Sequence, residues 1–214
     1  EINELLRAGQ IDVAFICTNA YVEGHDQFGL ELVVAPVRDG KPQYSGYIIV
    51  QQNSGIESFD QLQWKKFAFT DPMSTTGYLY PTSLVKKLGY SYNTYFSQVF
   101  FTYSHDNSVK AVAQGLADGA SVDAMVYKHL SQKQPGIVHN LKVIQESNPL
   151  GSPPVVARPG LDIKLKTELQ SFLINLAYQP SGQQILKNMG LEGYVRVTDK
   201  DYDNVRTMRR QALP

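Results

Sequence analysis

The stretch Asp71-Pro72-Met73-Ser74-Thr75-Thr76-Gly77-Tyr78-Leu79-Tyr80-Pro81 decides the fold. The apolar run Lys66-Phe67-Ala68-Phe69-Thr70 before it reads as a buried parallel strand, and Gly77 to Leu88 after it carries apolar residues at helical spacing. Ser74, Thr75 and Thr76 therefore fall at a strand-to-helix turn. The first-turn amides of a helix have no intrahelical partners and lie at the positive end of its dipole, and adjacent hydroxyls add donors. Such a turn suits a tetrahedral oxyanion. A second reading stays open, in which Ser74 or Thr75 only caps the helix.

Working outward, the same alternation of strand and helix continues. Towards the N-terminus lie a helix over Ile2 to Leu6, a buried strand over Ile11 to Ile16, a short helix from Tyr21, and strands at Leu30 to Val37 and Tyr44 to Val50. A helix feeding a parallel strand needs a strand before it. We therefore expect a strand-helix-strand unit ahead of Glu1. Towards the C-terminus, Phe96 to Thr102 reads as a strand ending at Ser104-His105-Asp106. A helix over Val109 to Leu116, a strand at Ala120 to Ala124, a helix over Met125 to Leu130 and a strand at Lys142 to Ile144 follow. Val155 to Ala157 is extended, Lys164 to Tyr178 and Ser181 to Met189 are helices, and the polar tail ends in a basic Arg206 to Arg210 cluster read as a solvated helix end. The expected fold class is α/β, with ligands outside the carboxyl ends of the strands.

Composition narrows the function. The 214 residues, 43% hydrophobic and 11% aromatic, are enough for a sizeable core as one domain or two lobes. Twenty basic and twenty acidic residues cancel, so no global field points to nucleic acid, and an anion site must be local. The single Cys17 rules out an internal disulfide and a cysteine-rich metal site. No serine-nucleophile elbow, phosphate loop with lysine or His-Glu-x-x-His pair is present, so binding without turnover is expected, with no cofactor and no metal.

Two further residues stand near the expected site. In a parallel sheet His105 follows a strand at the same carboxyl edge and can donate to an anion oxygen, the other reading being a surface-loop histidine, with Asp106 as the expected cap of the following helix. Asp123 would repel an anion unless it accepts a hydrogen from a protonated ligand oxygen, so it either selects ligands carrying an O–H or caps a helix. Tyr44 and Tyr47 are each readable as pocket or as packing.

The order of motifs resembles the phosphate, phosphite and phosphonate-binding solute-binding proteins of ABC transporters. The resemblance rests on Gly9 to Ala14, Tyr44 to Val50, Asp71 to Pro81, Ser104-His105-Asp106, Gly115 to Ala120 and Ser147 to Pro154. It implies a two-lobed clamp of the type II periplasmic-binding-protein kind, each lobe a mixed sheet flanked by helices, that closes by hinge motion on a ligand in the cleft. The implied ligand contacts are Ser74, Thr75, Thr76, Tyr44 and His105, with Asp123 as a further cleft residue. Residues 1–46 would form the first part of one lobe, 47–153 the second lobe, and 154–214 the return to the first. Relatives that take aminoalkylphosphonates place an acid in the crossing segment, which here reads Gly151-Ser152-Pro153-Pro154. A small ligand such as phosphate, phosphite or a simple phosphonate is favoured. The implied setting is periplasmic or otherwise extracytoplasmic, free or membrane-anchored, with an ABC permease as partner. The alternative is the ligand-sensing domain of a membrane receptor such as a histidine kinase, whose partner would be its own signalling domains.

Overall fold

The computed structural model describes residues 2–212. The chain divides into two compact units, one of Glu1–Gln43 with Leu150–Arg206 and one of Tyr44–Pro149 with Thr207–Pro214. These limits differ from the sequence reading most at the C-terminus. There Met208, on the helix Asp203–Ala212, packs against the aromatic core of the second unit, so the chain re-enters that unit at its end.

The second unit is built on a five-stranded sheet ordered Gln98–Phe101, Lys66–Phe69, Gly119–Asp123, Gly46–Gln51, Leu141–Glu146. Its strands are covered on both faces, as the run of buried residues in Lys66–Phe69 requires. Strand alternation sorts the side chains: Ile48, Val50, Phe67 and Phe69 point into a core with Phe59, Tyr95 and Phe96, while Ile49, Ala68, Ala120 and Val122 meet Val109, Val112 and Leu130 on the other face. Phe67 and Phe96 stack at 4.4 Å, within a cluster that also holds Tyr78, Tyr92 and Phe101.

Strand direction positions the site. Lys66–Phe69 runs parallel to both Gln98–Phe101 and Gly119–Asp123. Gly46–Gln51 runs antiparallel to Gly119–Asp123, with Gly46 opposite Asp123. The carboxyl ends of three parallel strands and the amino end of Gly46–Gln51 therefore share one edge.

The first unit is built differently. Its strands, in the order Val13–Phe15, Val155–Ala157, Glu31–Val37, Gly193–Val195, pair antiparallel throughout the described residues. No parallel pair occurs in that sheet among the described residues, and Val13–Phe15 is a three-residue strand at its edge whose Phe15 is 61% exposed. The alternation of hydrophobic residues locates such a strand but not its partner, which comes from far along the chain. The helices Ile163–Asn175 and Pro180–Met189 bring Leu173 and Leu186 onto Val33, Val155 and Tyr194. In the Arg206 to Arg210 cluster Arg210 is exposed, as a solvated helix end would be, but the reading of Arg206 needs correction. Arg206 is a packed hub, its guanidinium bonded to Asp199 at 2.5 Å and Asp203 at 3.2 Å and paired with Asp26 at 3.4 Å. Asp199 in turn accepts the Tyr21 hydroxyl at 2.8 Å.

Candidate functional site

The central turn forms because the strand Lys66–Phe69 ends at Thr70 and the chain doubles back before turning helical. The Asp71 carboxylate accepts the Met73 amide at 2.7 Å, and Ser74 N donates to Asp71 O at 2.9 Å. Ser74 then caps a π-turn over Thr75–Leu79, in which Leu79 N reaches back to Ser74 O at 3.1 Å. The helix Tyr80–Lys87 continues from it. Wide turns of this kind concentrate at functional sites.

The three hydroxyls are thus placed differently from one another. Ser74 Oγ accepts the Gly77 amide at 3.0 Å, which realises the capping reading and leaves its own hydroxyl hydrogen to donate elsewhere. Thr75 is buried at the start of the π-turn. Thr76 is held from two sides: its carbonyl accepts Ser121 Oγ at 2.5 Å, and its side chain lies against Gly46, where an added Cβ would sit 3.1 Å from Thr76 Cβ and Cγ2. Sequence reasoning passed over Gly46, although a glycine inside a strand pattern is itself a signal of close approach.

His105 opens the helix His105–Ala113. Its cap is Ser104, whose Oγ accepts the Asn107 amide at 3.2 Å, so Asp106 is not the cap that the sequence suggested. Ser104 stands two residues earlier, immediately before the helix and in extended backbone. Asp106 pairs with Lys110 at 3.3 Å, and the Ser104 hydrogen bond, followed by Lys110, holds its carboxyl below the ordinary value. The His105 ring is partly buried, and its Nδ1 accepts the Asp123 amide at 3.0 Å. An amide N–H only donates, so Nδ1 carries no proton and the neutral ring carries its hydrogen on Nε2. Burial pushes the imidazole down to about 4, against weaker pulls upward from Asp106 and Asp71. At neutral pH His105 is therefore an uncharged donor with its tautomer fixed.

Asp123 ends the strand Gly119–Asp123 and caps the helix Ala124–Lys133, its Oδ1 accepting the Met125 amide at 2.7 Å and the Val126 amide at 3.4 Å. The capping role weighed from sequence is present, and one oxygen is committed to it. Tyr44 is buried beside the same edge, next to Ser45, whose carbonyl accepts the Ala124 amide at 3.0 Å. Tyr47 packs edge-on against Tyr127 at 5.8 Å, which is the packing reading.

The structure therefore brings the turn of Ser74, Thr75 and Thr76 together with His105 and Asp123 at one sheet edge, with Tyr44 on the adjoining segment. Three helix starts meet there. Among the described residues no group of three or more His, Cys, Asp or Glu side chains could hold a metal ion, and no helix is long and apolar enough to cross a membrane.

Helix starts and uncharged donors gathered at the polar end of a sheet suit the binding of a small anion. The chain belongs to the family of periplasmic substrate-binding proteins of phosphonate ABC transporters, whose profile matches residues 1–202. It is 29% identical to the phosphate-import protein PhnD of Mycolicibacterium smegmatis, over 93% of this chain and 68% of that protein. It is 27% identical to the phosphonates-binding periplasmic protein of Escherichia coli, over 86% of this chain but 56% of the relative's length. Among solved structures, the binding component of an ABC phosphonate transporter from Pseudomonas aeruginosa superposes with a TM-score of 0.88 at 25% identity, covering 97% of this chain and 70% of that one.

Proposed function

We propose that the second unit seats a small phosphorus oxyanion, namely phosphate, phosphite or a simple phosphonate, at the carboxyl ends of its three parallel strands for delivery to an ABC-transporter permease. The observation that carries this reading is the fixed tautomer of His105, which presents an uncharged Nε2–H at the edge where the π-turn begins. Ser74, Thr75 and Thr76 supply hydroxyls at a helix start, Tyr44 a phenolic O–H, and Asp123 an acceptor for a protonated ligand oxygen. Each of these roles is a hydrogen bond to a bound anion, and the reading involves no turnover. Gly151-Ser152-Pro153-Pro154 offers no carboxylate to an ammonium group, which favours a ligand without an amine. Both curated relatives are named for transport or binding of phosphorus oxyanions, which supports the carrier over the receptor reading.

A thermal-shift series on the full-length protein with phosphate, phosphite, methylphosphonate, 2-aminoethylphosphonate and sulfate tests this. A ligand at 100 times its Kd stabilises by about 2.7 kcal/mol, a clear rise in Tm. The expected result is a rise with one of the first three and none with sulfate, and a Thr75→Ala variant that binds that ligand about tenfold more weakly, the loss of one charge-assisted hydrogen bond. No rise with any phosphorus oxyanion overturns the proposal.

A further inference from the structure

The π-turn that follows Ser74, the start of the His105 helix and the Ser121–Asp123 strand end come from separate parts of the chain, yet all three are tied to one residue, the first through its Gly77. Thr70 is 3% exposed, and its Oγ1 lies 3.3 Å from His105 Nδ1, 3.3 Å from Ser108 Oγ and 3.4 Å from Ser121 O. Its backbone is tied in as well: Thr70 N donates to Gly77 O at 3.1 Å and Thr70 O accepts Tyr103 N at 2.7 Å. Gly77 packs so closely on Thr70 that no Cβ fits between them. Below, Ser108 Oγ meets Thr102 Oγ1 at 2.6 Å, and Thr102 Oγ1 donates to Ser104 O at 3.0 Å, closing a buried hydroxyl network under the helix start that carries His105.

We propose that Thr70 is a positioning residue of the oxyanion site, which through its hydroxyl holds the His105 ring on the Asp123 amide and through its backbone holds the Ser74–Thr76 turn in register with it. Thr70 acts through other residues and need not touch the ligand. The inference deepens the oxyanion-binding reading and rests on it for its functional consequence, whereas its geometric content stands in the ligand-free protein. Nδ1 and Ser121 O both accept, so the single Thr70 hydroxyl hydrogen is shared between the His105 ring and the strand end, and losing it leaves both buried acceptors without that donor.

The test uses Thr70→Val, which keeps the shape and removes the hydroxyl, and Thr70→Ser, which keeps the hydroxyl. Two measurements are made on the full-length protein. The first is amide hydrogen exchange at Asp123, with the ring nitrogen signals of His105, in the absence of ligand. Thr70→Val is expected to speed Asp123 exchange at least tenfold relative to amides elsewhere in the same sheet and to disturb the single Nε2–H signal, while Thr70→Ser keeps both as in the parent. The second is the Kd for phosphate, phosphite and methylphosphonate, expected to rise about tenfold in Thr70→Val and to stay within twofold in Thr70→Ser. Parent-like Asp123 exchange and parent-like affinity in Thr70→Val overturn the proposal. If Thr70→Val does not fold, Thr70→Ser decides, because loss of the His105 signal in a variant that retains the hydroxyl would overturn it and retention supports it. Failure of the parent to bind any of the oxyanions would sink the functional reading alone, since the ligand-free measurements still decide the role of Thr70.

Discussion

Gly77→Ala is expected to abolish oxyanion binding and to cost about 3 kcal/mol of stability, at the upper end for an overpacked core. Gly77 lies inside the π-turn with its amide on Ser74 Oγ and its carbonyl on the Thr70 amide. A Cβ built there would stand 2.3 Å from Thr70 Oγ1, 2.4 Å from Thr70 Cβ and 3.0 Å from Ser74 Oγ. Neither neighbour has room to yield. Thr70 is pinned by His105, Ser108 and Ser121, and Ser74 by its capping bond, so relief comes only by opening the turn away from the strand end. Opening it breaks the Thr70–Gly77 backbone bond and moves all three site hydroxyls together. Gly136→Ala is the matched control, because an added Cβ at Gly136 meets nothing within 4 Å. That change is expected to be neutral or slightly stabilising. Thermal melts of both variants, with and without the ligand identified by the oxyanion series, check the prediction; parent-like affinity in Gly77→Ala would show that the turn does not form the seat.

The contrast between Gly77 and Gly46 shows what is legible in such a chain. Ser74, Thr75 and Thr76 could be placed from sequence because a buried run stops, hydroxyls follow and helical spacing begins, all signals local to a dozen positions. The alternation of Phe67 and Phe69 with Ala68 likewise marks two differently packed faces, and the structure uses both. That His105 and Asp123 end at the same edge followed from reading their strands as parallel, which holds in the second unit. In the first unit the partner of Val13–Phe15 could not be read in this way, because its pairing with Val155–Ala157 is set by tertiary packing and leaves no local trace. Thr70 and Ser121 were passed over for a related reason: one polar residue at the end of a strand looks the same whether it faces solvent or ties three segments together. Arg206 was misread because its partners Asp26 and Asp199 come from other elements, and charge spacing along one helix cannot reveal them.

The second large effect is on stability against pH, and its sign follows from His105. Burial puts the folded-state value at about 4, below the ordinary 6.5. Between these values the unfolded chain binds a proton that the folded chain refuses, so stability rises with pH across the window. The contribution is fully present above pH 6.5 and is lost as pH falls towards 4, by about 3 kcal/mol at most. The geometry gives the cause. The incoming proton can go only to Nδ1, where it would face the Asp123 N–H at 3.0 Å, donor against donor. The acids around it, Asp106 and Asp71, favour the charged ring but do not overcome burial. Asp106 and Asp199 are held below the ordinary carboxylate value of 3.8, so their contributions fade under this window and leave it to the imidazole. His105→Asn keeps an acceptor near the Nδ1 position and does not titrate. Chemical denaturation of ligand-free parent and His105→Asn at half-unit steps from pH 7 to pH 4.5 is expected to give curves that converge on acidification, the parent losing more than the variant. Parallel curves would mean that the ring takes up its proton without hindrance. His105 would then lack the fixed Nε2–H on which the oxyanion seat depends, and the Asp123 amide would have to find its acceptor elsewhere.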